Sequence, residues 1–521
     1  MQPEESKERD TASLVILAVL TALAFALRYW RLGDWNFQAT EIFTLRDSNS
    51  PQFGNPRPLM YLLNYYLLRS LAPLNELELR VLPAFFGAVA IPAFYFIVRR
   101  LVGSRAALFG TLLLTLSPLH ILYSQLARYW SLVFLLSTIY PIALYLGIRD
   151  RDRRMVILGA VTGILAMLAH PVAILLVGGL VLFLITRVRR QQLVRLWGQK
   201  SVKWAIAVLA LLIALAAVRL IPMLQSWISQ HDRNPGYGQF LLRTPPSPGL
   251  KQLLYVFAHL ESLTLPLTIC AAAGLYWLRE ARERSLALFL FSSAVFPIAF
   301  LVLVSFRTSV SNYYLLPSAP AFFIAAGIFL DRLSRLNGML RTKWLLPATV
   351  TLIIVAAGTP TLISDYRDGR RYDFRHAAHW LQARAEPGDV VFSDQSMVLA
   401  YYLPGTEVNR LRYDPTPLMQ SMTELQRDGR GRVLWVVAPA PSHPFRTNLR
   451  PGGLSRWIYG NCQLRNTLGT GRLDFRQDYL QVYRCPPAIP AAATAVSVPL
   501  EPGVAEVMPG LADRQRDSLS R

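Results

Sequence analysis

The sequence predicts a polytopic α-helical membrane protein of about eleven spans, each about 20 mainly apolar residues long, followed by a small external α/β domain. Three observations carry that prediction. Hydrophobic residues make up 53% of the 521 residues and charged residues only 17%, against about 25% charged in a soluble domain. Apolar runs of spanning length recur from residue 14 to residue 362. The basic residues collect in alternate loops, as the positive-inside rule requires. This pattern excludes a disordered chain, a coiled coil and an ordinary soluble enzyme. Three cysteines are too few for a disulfide framework or a zinc cluster.

The expected spans are 14–29, 81–98, 106–121, 130–148, 155–169, 172–185, 204–221, 265–278, 286–304, 315–330 and 344–362. Internal Pro92, Pro141, Gly163 and Pro297 are compatible with them, because neighbouring helices re-satisfy the freed backbone groups. Lys+Arg 54 against Asp+Glu 32 leaves a net charge of +22. Arg99, Arg100 and Arg105 follow the second run. Arg149, Arg151, Arg153 and Arg154 follow the fourth, and a cluster from Arg187 to Lys203 follows the sixth. Arg279, Arg282 and Arg284 follow the eighth; Arg332, Arg335, Arg341 and Lys343 follow the tenth. Every even-numbered exit is basic, so those loops are expected in the cytoplasm, with the N-terminus inside and the C-terminal region outside. The positive charge is thus a topology signal, and no nucleic-acid recognition motif accompanies it. Glu4, Glu5, Glu8 and Asp10 precede the first run and no small-residue cleavage site follows it, so that run is read as a retained anchor in a bacterial inner membrane.

Residues 1–364 are therefore expected to form the membrane domain, 365–486 the external α/β domain and 487–521 a Pro- and Ala-rich disordered tail. Within the external domain, 373–385 carries apolar positions at helical spacing. Pro387-Gly388 is a turn signal, DVVFSD and the run at 432–437 read as strands, and 473–483 resembles a hairpin arm. Cys462 and Cys485 flank that arm. An oxidising compartment would pair them; two separate small hydrophobes is the alternative.

The first external segment, RLGDWNFQATEIFTLRDSNSPQFGNPRPLMYLL, holds Asp34, Glu41 and Asp47, with Glu76 and Glu78 further on. A carboxylate at the membrane boundary tends to a raised pKa and suits general-base work. Glu41 opens the amphipathic stretch EIFTLR and is the foremost candidate; a solvated loop acid is the bland reading. Tyr61, Tyr65 and Tyr66 fit an interfacial belt as well as a substrate contact. Arg128, beside Tyr129 and Trp130 at the start of a span, calls for a polar cavity, a headgroup or an anion. Phosphate is its natural partner, with interfacial snorkelling as the competing reading. His170 stands at an outer mouth, where a helix cap is the commoner role. Arg307 lies at another outer end. No metal-ligand spacing, P-loop or dinucleotide fingerprint occurs, so no cofactor is expected and a metal requirement is left open.

Four stretches resemble the multispanning glycosyltransferases that use polyprenyl-phosphate sugars, the protein O-mannosyltransferase and aminoarabinose-transferase relatives of the C-type superfold. ATEIFTLR stands at the family's Asp-Glu motif and NPRPLMYLL at the stretch that follows. ELELRVLPAFFGAVAIPAFYFIVRRLVGSRAALFGTLLLTLSPLHILYSQLARYWSL follows the family's course through its next spans. NYYLLPSAP is similar to a later Tyr-Leu-Leu-Pro stretch. The likeness spans roughly residues 13–335. It implies an inverting transfer from a polyprenyl-phosphate sugar to a lipid, glycan or protein acceptor, with a loop carboxylate as general base. By position it implies Glu41 or Asp34 as the catalytic acid–base group, and Arg57, Arg128, Tyr129, His170, Arg307 and Tyr313 around the donor. The chain departs from the family at several positions. Thr40 replaces the first acid of the pair, Asn55 and Arg57 replace a His and a Pro, Leu126 replaces a Glu, and Asn312 replaces an Arg. Asp47 is a further acid in reach of the vacated position. The competing class is a non-catalytic polytopic protein, a glycan-lipid transporter or an assembly scaffold. A transporter would show internal repeats and mid-membrane acids, whereas the acids here gather at the outer boundary.

Overall fold

The computed structural model describes residues 3–51, 55, 57–187, 203–204, 207–208, 210–214, 217–218, 263–280, 283–305, 312–336, 344–369, 372–411, 416–428, 432–439, 453–469 and 479–486. It divides into two units. The first holds residues 1–376 with 468–479, the second 377–467 with 480–521.

The first unit is helical. Its opening helix α1 (Pro3–Tyr29) leads into α2 (Ala39–Asn49), α3 (Pro58–Leu63) and a turn of π-helix, Asn64–Arg69. Next comes α4 (Glu76–Val102), whose N-cap Asn75 accepts from the backbone N–H groups of Leu77 and Glu78. Asp- and Glu-rich starts and basic ends suit the helix dipole, and α4 has Glu76 and Glu78 in its first turn and Arg99 and Arg100 in its last. It stops at Gly103, where φ is 86°, a conformation that glycine adopts without steric cost.

Helices α5 (Ser104–Thr115) and α6 (Pro118–Ser124) form one apolar run bent by 61°. Pro118 cannot continue α5, and the Ser117 hydroxyl accepts from the His120 N–H to start the new helix. After α7 (Trp130–Arg149), Asp152 caps α8 (Arg153–Ala169), which ends at His170 in extended geometry, as the residue before a proline prefers. The unit continues through α9 (Ile174–Arg187), α10 (Leu265–Glu280), α11 (Arg284–Ser305), α12 (Ala319–Leu336) and α13 (Leu345–Asp368).

Six of these helices are long and apolar enough to span a membrane, or seven when α5 and α6 count as one broken span. Of the expected run at 204–221, residues 204, 207–208, 210–214 and 217–218 are described and the rest lie outside the described residues. Val15, Val19, Leu352 and Ile353 turn outward on α1 and α13, so lipid is their natural solvent. Close approach of helices rests on small residues. A Cβ on Gly327 of α12 would stand 2.4 Å from the Ala106 carbonyl oxygen of α5.

In the second unit a five-stranded sheet runs in the order β2-β1-β3-β5-β4. Here β1 is Val390–Ser393, β2 Val408–Arg410, β3 Leu434–Pro439, β4 Gln463–Leu468 and β5 Leu480–Cys485. Strand β1 is parallel to β2 and β3, while β5 is antiparallel to β3. The parallel strands are joined by helices α15 (Ser396–Tyr402) and α16 (Thr416–Asp428), as parallel pairs require. Helices α14 (Phe374–Gln382) and α17 (Gly453–Asn461) complete the set. Cys462 and Cys485 are joined by a disulfide, and Cys270 is free and buried.

Candidate active site

The site is assembled by the loop after α1, by α2 and α3, and by the start of α7. Two arginine clusters lie side by side there, and they differ in kind.

The first is closed. Glu41 sits in the first turn of α2, and its Oε2 accepts from the Gln38 N–H at 2.8 Å and from Arg80 Nη2 at 3.1 Å. Its Oε1 accepts from Arg80 Nε at 3.0 Å and from the Ala127 N–H at 2.8 Å. Arg80, near the start of α4, spends its remaining N–H groups on the carbonyls of Leu32, Trp35 and Asn36. Both side chains are 0% exposed. Arg80 thereby pins the loop after α1, and Glu41 ties that loop to the turn before α7. Glu41, expected as the acid–base group, thus has both oxygens bonded and no exposed surface. Asp34, the other expected acid, is placed differently. Its carboxylate pairs with Arg31 at 2.7 Å and is half exposed.

The second cluster is open. Arg128 donates from Nη1 to the Thr40 carbonyl at 2.8 Å and to the Thr44 hydroxyl at 3.0 Å. Its Nη2 donates to Tyr129 Oη at 2.9 Å. Arg57 Nη1 donates to the same Tyr129 oxygen at 2.6 Å. Two guanidinium groups thus converge on one phenol. The Tyr129 and Trp130 rings lie 4.8 Å and 5.0 Å from His170 and 4.9 Å from each other, and Trp130 lies 4.9 Å from Tyr313.

The Val172 N–H donates to His170 Nδ1 at 3.0 Å, so in the neutral ring the proton is assigned to Nε2. That Nε2 is buried without a hydrogen-bond partner among the described residues. Burial first, then the charges of Arg57 and Arg128, hold His170 well below its ordinary pKa range. Burial raises the Tyr61 hydroxyl, with Arg128 and Arg57 opposing.

No carboxylate is bonded to either guanidinium of this cluster among the described residues. Asp47 lies near enough to act on the Tyr61 hydroxyl together with Arg57 and Arg128. Its Oδ2 accepts from Asn55 Nδ2 at 3.3 Å, and Asn55 Oδ1 accepts from the Arg57 N–H at 2.9 Å. Asp47 is 20% exposed and paired through Oδ1 with Arg46. Buried donors that lack acceptors are costly unless a ligand completes them.

Of the predicted residues, the structure gathers Arg57, Arg128, Tyr129, His170 and Tyr313. Arg307 lies outside the described residues. Arg80 was missed, as was Tyr314, whose ring lies 5.8 Å from His170 and 5.9 Å from Trp130; a lone arginine in the run ELELR reads as a helix-start charge. No group of three or more His, Cys, Asp or Glu able to hold a metal occurs among the described residues.

Known proteins share the fold. The chain matches ArnT from Cupriavidus metallidurans with a TM-score of 0.51 and 16% identity, over 91% of this chain and 98% of that one. It matches the oligosaccharyltransferase of Archaeoglobus fulgidus with a TM-score of 0.52 and 14% identity, over 82% and 69%. The AglB form of that archaeal enzyme, in complex with an inhibitory peptide and a dolichol-phosphate, matches with a TM-score of 0.51 and 12% identity, over 83% and 70%. At these identities the likeness concerns the fold. No curated protein matches the sequence. The chain shares the fold of these proteins and has helices long and apolar enough to cross a membrane. Residues 56–219 match the model of the family of dolichyl-phosphate-mannose-protein mannosyltransferases. The matched segment contains Arg57, Arg80, Arg128, Tyr129 and His170.

Proposed function

We propose that the protein transfers a sugar from a polyprenyl-phosphate donor to a lipid, glycan or protein hydroxyl at the periplasmic face of a bacterial inner membrane. The observation that carries this reading is the convergence of Arg57 and Arg128 on Tyr129 beside the unpartnered His170 Nε2. A phosphate placed there receives charge-assisted hydrogen bonds from two guanidinium forks. The acceptor oxygen attacks the anomeric carbon as the bond from that carbon to the phosphate oxygen breaks. The electron pair leaves with the lipid phosphate, and the configuration inverts. The cationic cluster stabilises the charge that develops on the leaving oxygen, most effectively in a partly dry site. Thr40 cannot accept the acceptor's proton, and Glu41 is engaged with Arg80. Asp47, the partly exposed acid joined through Asn55 to Arg57, takes it. Trp130 and Tyr313 offer aromatic faces for the sugar ring.

The basic loop ends assign the opposite face to the cytoplasm. In support of a lipid-phosphate ligand, the archaeal neighbour of the same fold is in complex with a dolichol-phosphate. The test is transfer by the purified protein from polyprenyl-phosphate hexoses and pentoses. Wild type should transfer, while Arg128→Gln and Asp47→Asn should not at comparable rates. Full transfer by Arg128→Gln would overturn the phosphate assignment. Full transfer by Asp47→Asn would remove Asp47 as the base.

A further inference from the structure

A cavity of about 530 Å³ opens where α4 ends, α5 begins, and α10 and α12 finish. It lies far from the candidate active site: Arg80 and Leu101 are 21 residues apart on α4, about 30 Å at the rise of an α-helix. Its volume falls within the range of about 300–1,000 Å³ typical of small-ligand sites.

The lining is apolar on one side and charged with both signs on the other. Leu101, Trp277 and Ile328 form the apolar wall, and Glu283, Asp331 and Arg332 bring charge. Asp331 is 7% exposed, and its Oδ2 accepts from Arg335 at 2.6 Å. Its Oδ1 is 3.4 Å from Arg105 Nε, a charge contact, and is buried without a hydrogen-bond donor. A buried carboxylate oxygen lacking a donor is costly. Arg332, on the same wall, has no hydrogen bond or ion pair to the described residues. The buried Asp331 is held by Arg105 and Arg335, so the charges the wall offers to the cavity are the Glu283 carboxylate and the Arg332 fork, next to an apolar surface.

We propose that this cavity binds a glycerophospholipid with a phosphoethanolamine headgroup, from the leaflet on the basic side of the protein. The ammonium donates to Glu283, Arg332 takes the phosphate, and the acyl chains lie along Leu101, Trp277 and Ile328. The charge pattern selects this headgroup. A phosphocholine head has no N–H to give Glu283. A purely anionic head, or a polyprenyl phosphate, leaves Glu283 without a cationic partner.

The experiment is native mass spectrometry of the full-length protein titrated with phosphatidylethanolamine, phosphatidylcholine and phosphatidylglycerol of identical acyl chains, and with polyprenyl phosphate. Phosphatidylethanolamine should bind about tenfold more tightly than the others, the effect of roughly one hydrogen bond between charged groups. Asp331→Asn disturbs the Arg105 and Arg335 contacts, so the deciding variants are Arg332→Gln and Glu283→Gln. Each should lower phosphatidylethanolamine binding to the phosphatidylcholine level while the thermal midpoint holds. Equal binding of the two zwitterionic lipids overturns the proposal. So does preference for phosphatidylglycerol or polyprenyl phosphate, or unchanged selectivity in both variants.

Discussion

Two arginines separated by 48 residues meet opposite fates in this protein. Arg80 is fully buried, and its charge is cancelled by Glu41. Arg128 is almost as buried but bonds only neutral oxygens of Thr40, Thr44 and Tyr129, and a second guanidinium, Arg57, joins it there. Burying a cation without its counter-charge is expensive. One arginine is neutralised within the fold, while two others face a phenol, and on the function proposed above that second cluster serves the donor phosphate. The same loop serves both: Thr40 and Glu41 are adjacent, one facing each cluster.

The largest expected effect lies in the closed cluster. Removing one partner of a buried ion pair costs about 3–5 kcal/mol, so Arg80→Met should lower the thermal midpoint sharply, with or without donor. Pairing it with Glu41→Gln should recover part of that loss, because no uncompensated charge remains; a thermal-shift double-mutant cycle measures the recovery. Were Arg80→Met to leave stability intact and abolish only transfer, the structural assignment of this cluster would fail.

In the open cluster the order reverses. Arg128→Gln or Arg57→Gln should cost about 1.5–3 kcal/mol of donor binding, the value of a hydrogen bond to a charged group, that is, about 10- to 100-fold in kcat/KM. The midpoint should fall little or rise, since like charges are relieved. Donor-induced stabilisation in a thermal shift assay should shrink with the same variants.

A smaller effect is expected from Asp47→Asn, read as kcat falling at constant KM, with Asp34→Asn close to wild type. Equal losses in both would show that loop charge in general, rather than Asp47, supports transfer.

The smallest effect is a pH dependence. His170 is held below its ordinary range, so below about pH 6.5 the unfolded chain takes up a proton that the native ring refuses. Stability should therefore decline as pH falls through that value and be retained above it. The decline should be shallower in His170→Gln, and occupancy by an anionic donor should reduce it by welcoming the proton.

How much of this was legible in the sequence depends on distance along the chain. Arg128, Tyr129, His170 and Tyr313 announce themselves as polar or aromatic groups at the ends of apolar runs, where charge is expensive. Arg57 emerged only as a departure from a family pattern. Glu41 stood out for the right reason, an acid at the membrane boundary, yet took a different role, because its partner Arg80 lies 39 residues further on. No periodicity or spacing links the two.

Composition, run length and loop charge fixed the membrane class, since transfer free energy is nearly additive along a chain and can be summed without knowing the fold. Local chemistry likewise placed the caps and breaks, such as Ser117-Pro118 and His170-Pro171, because they depend on adjacent residues. Which charges cancel and which stay open was decided only by packing. Coulombic and hydrogen-bond energies depend on separation in space, and Glu41, Arg57, Arg80, Arg128 and His170 become neighbours only when the helices close around them.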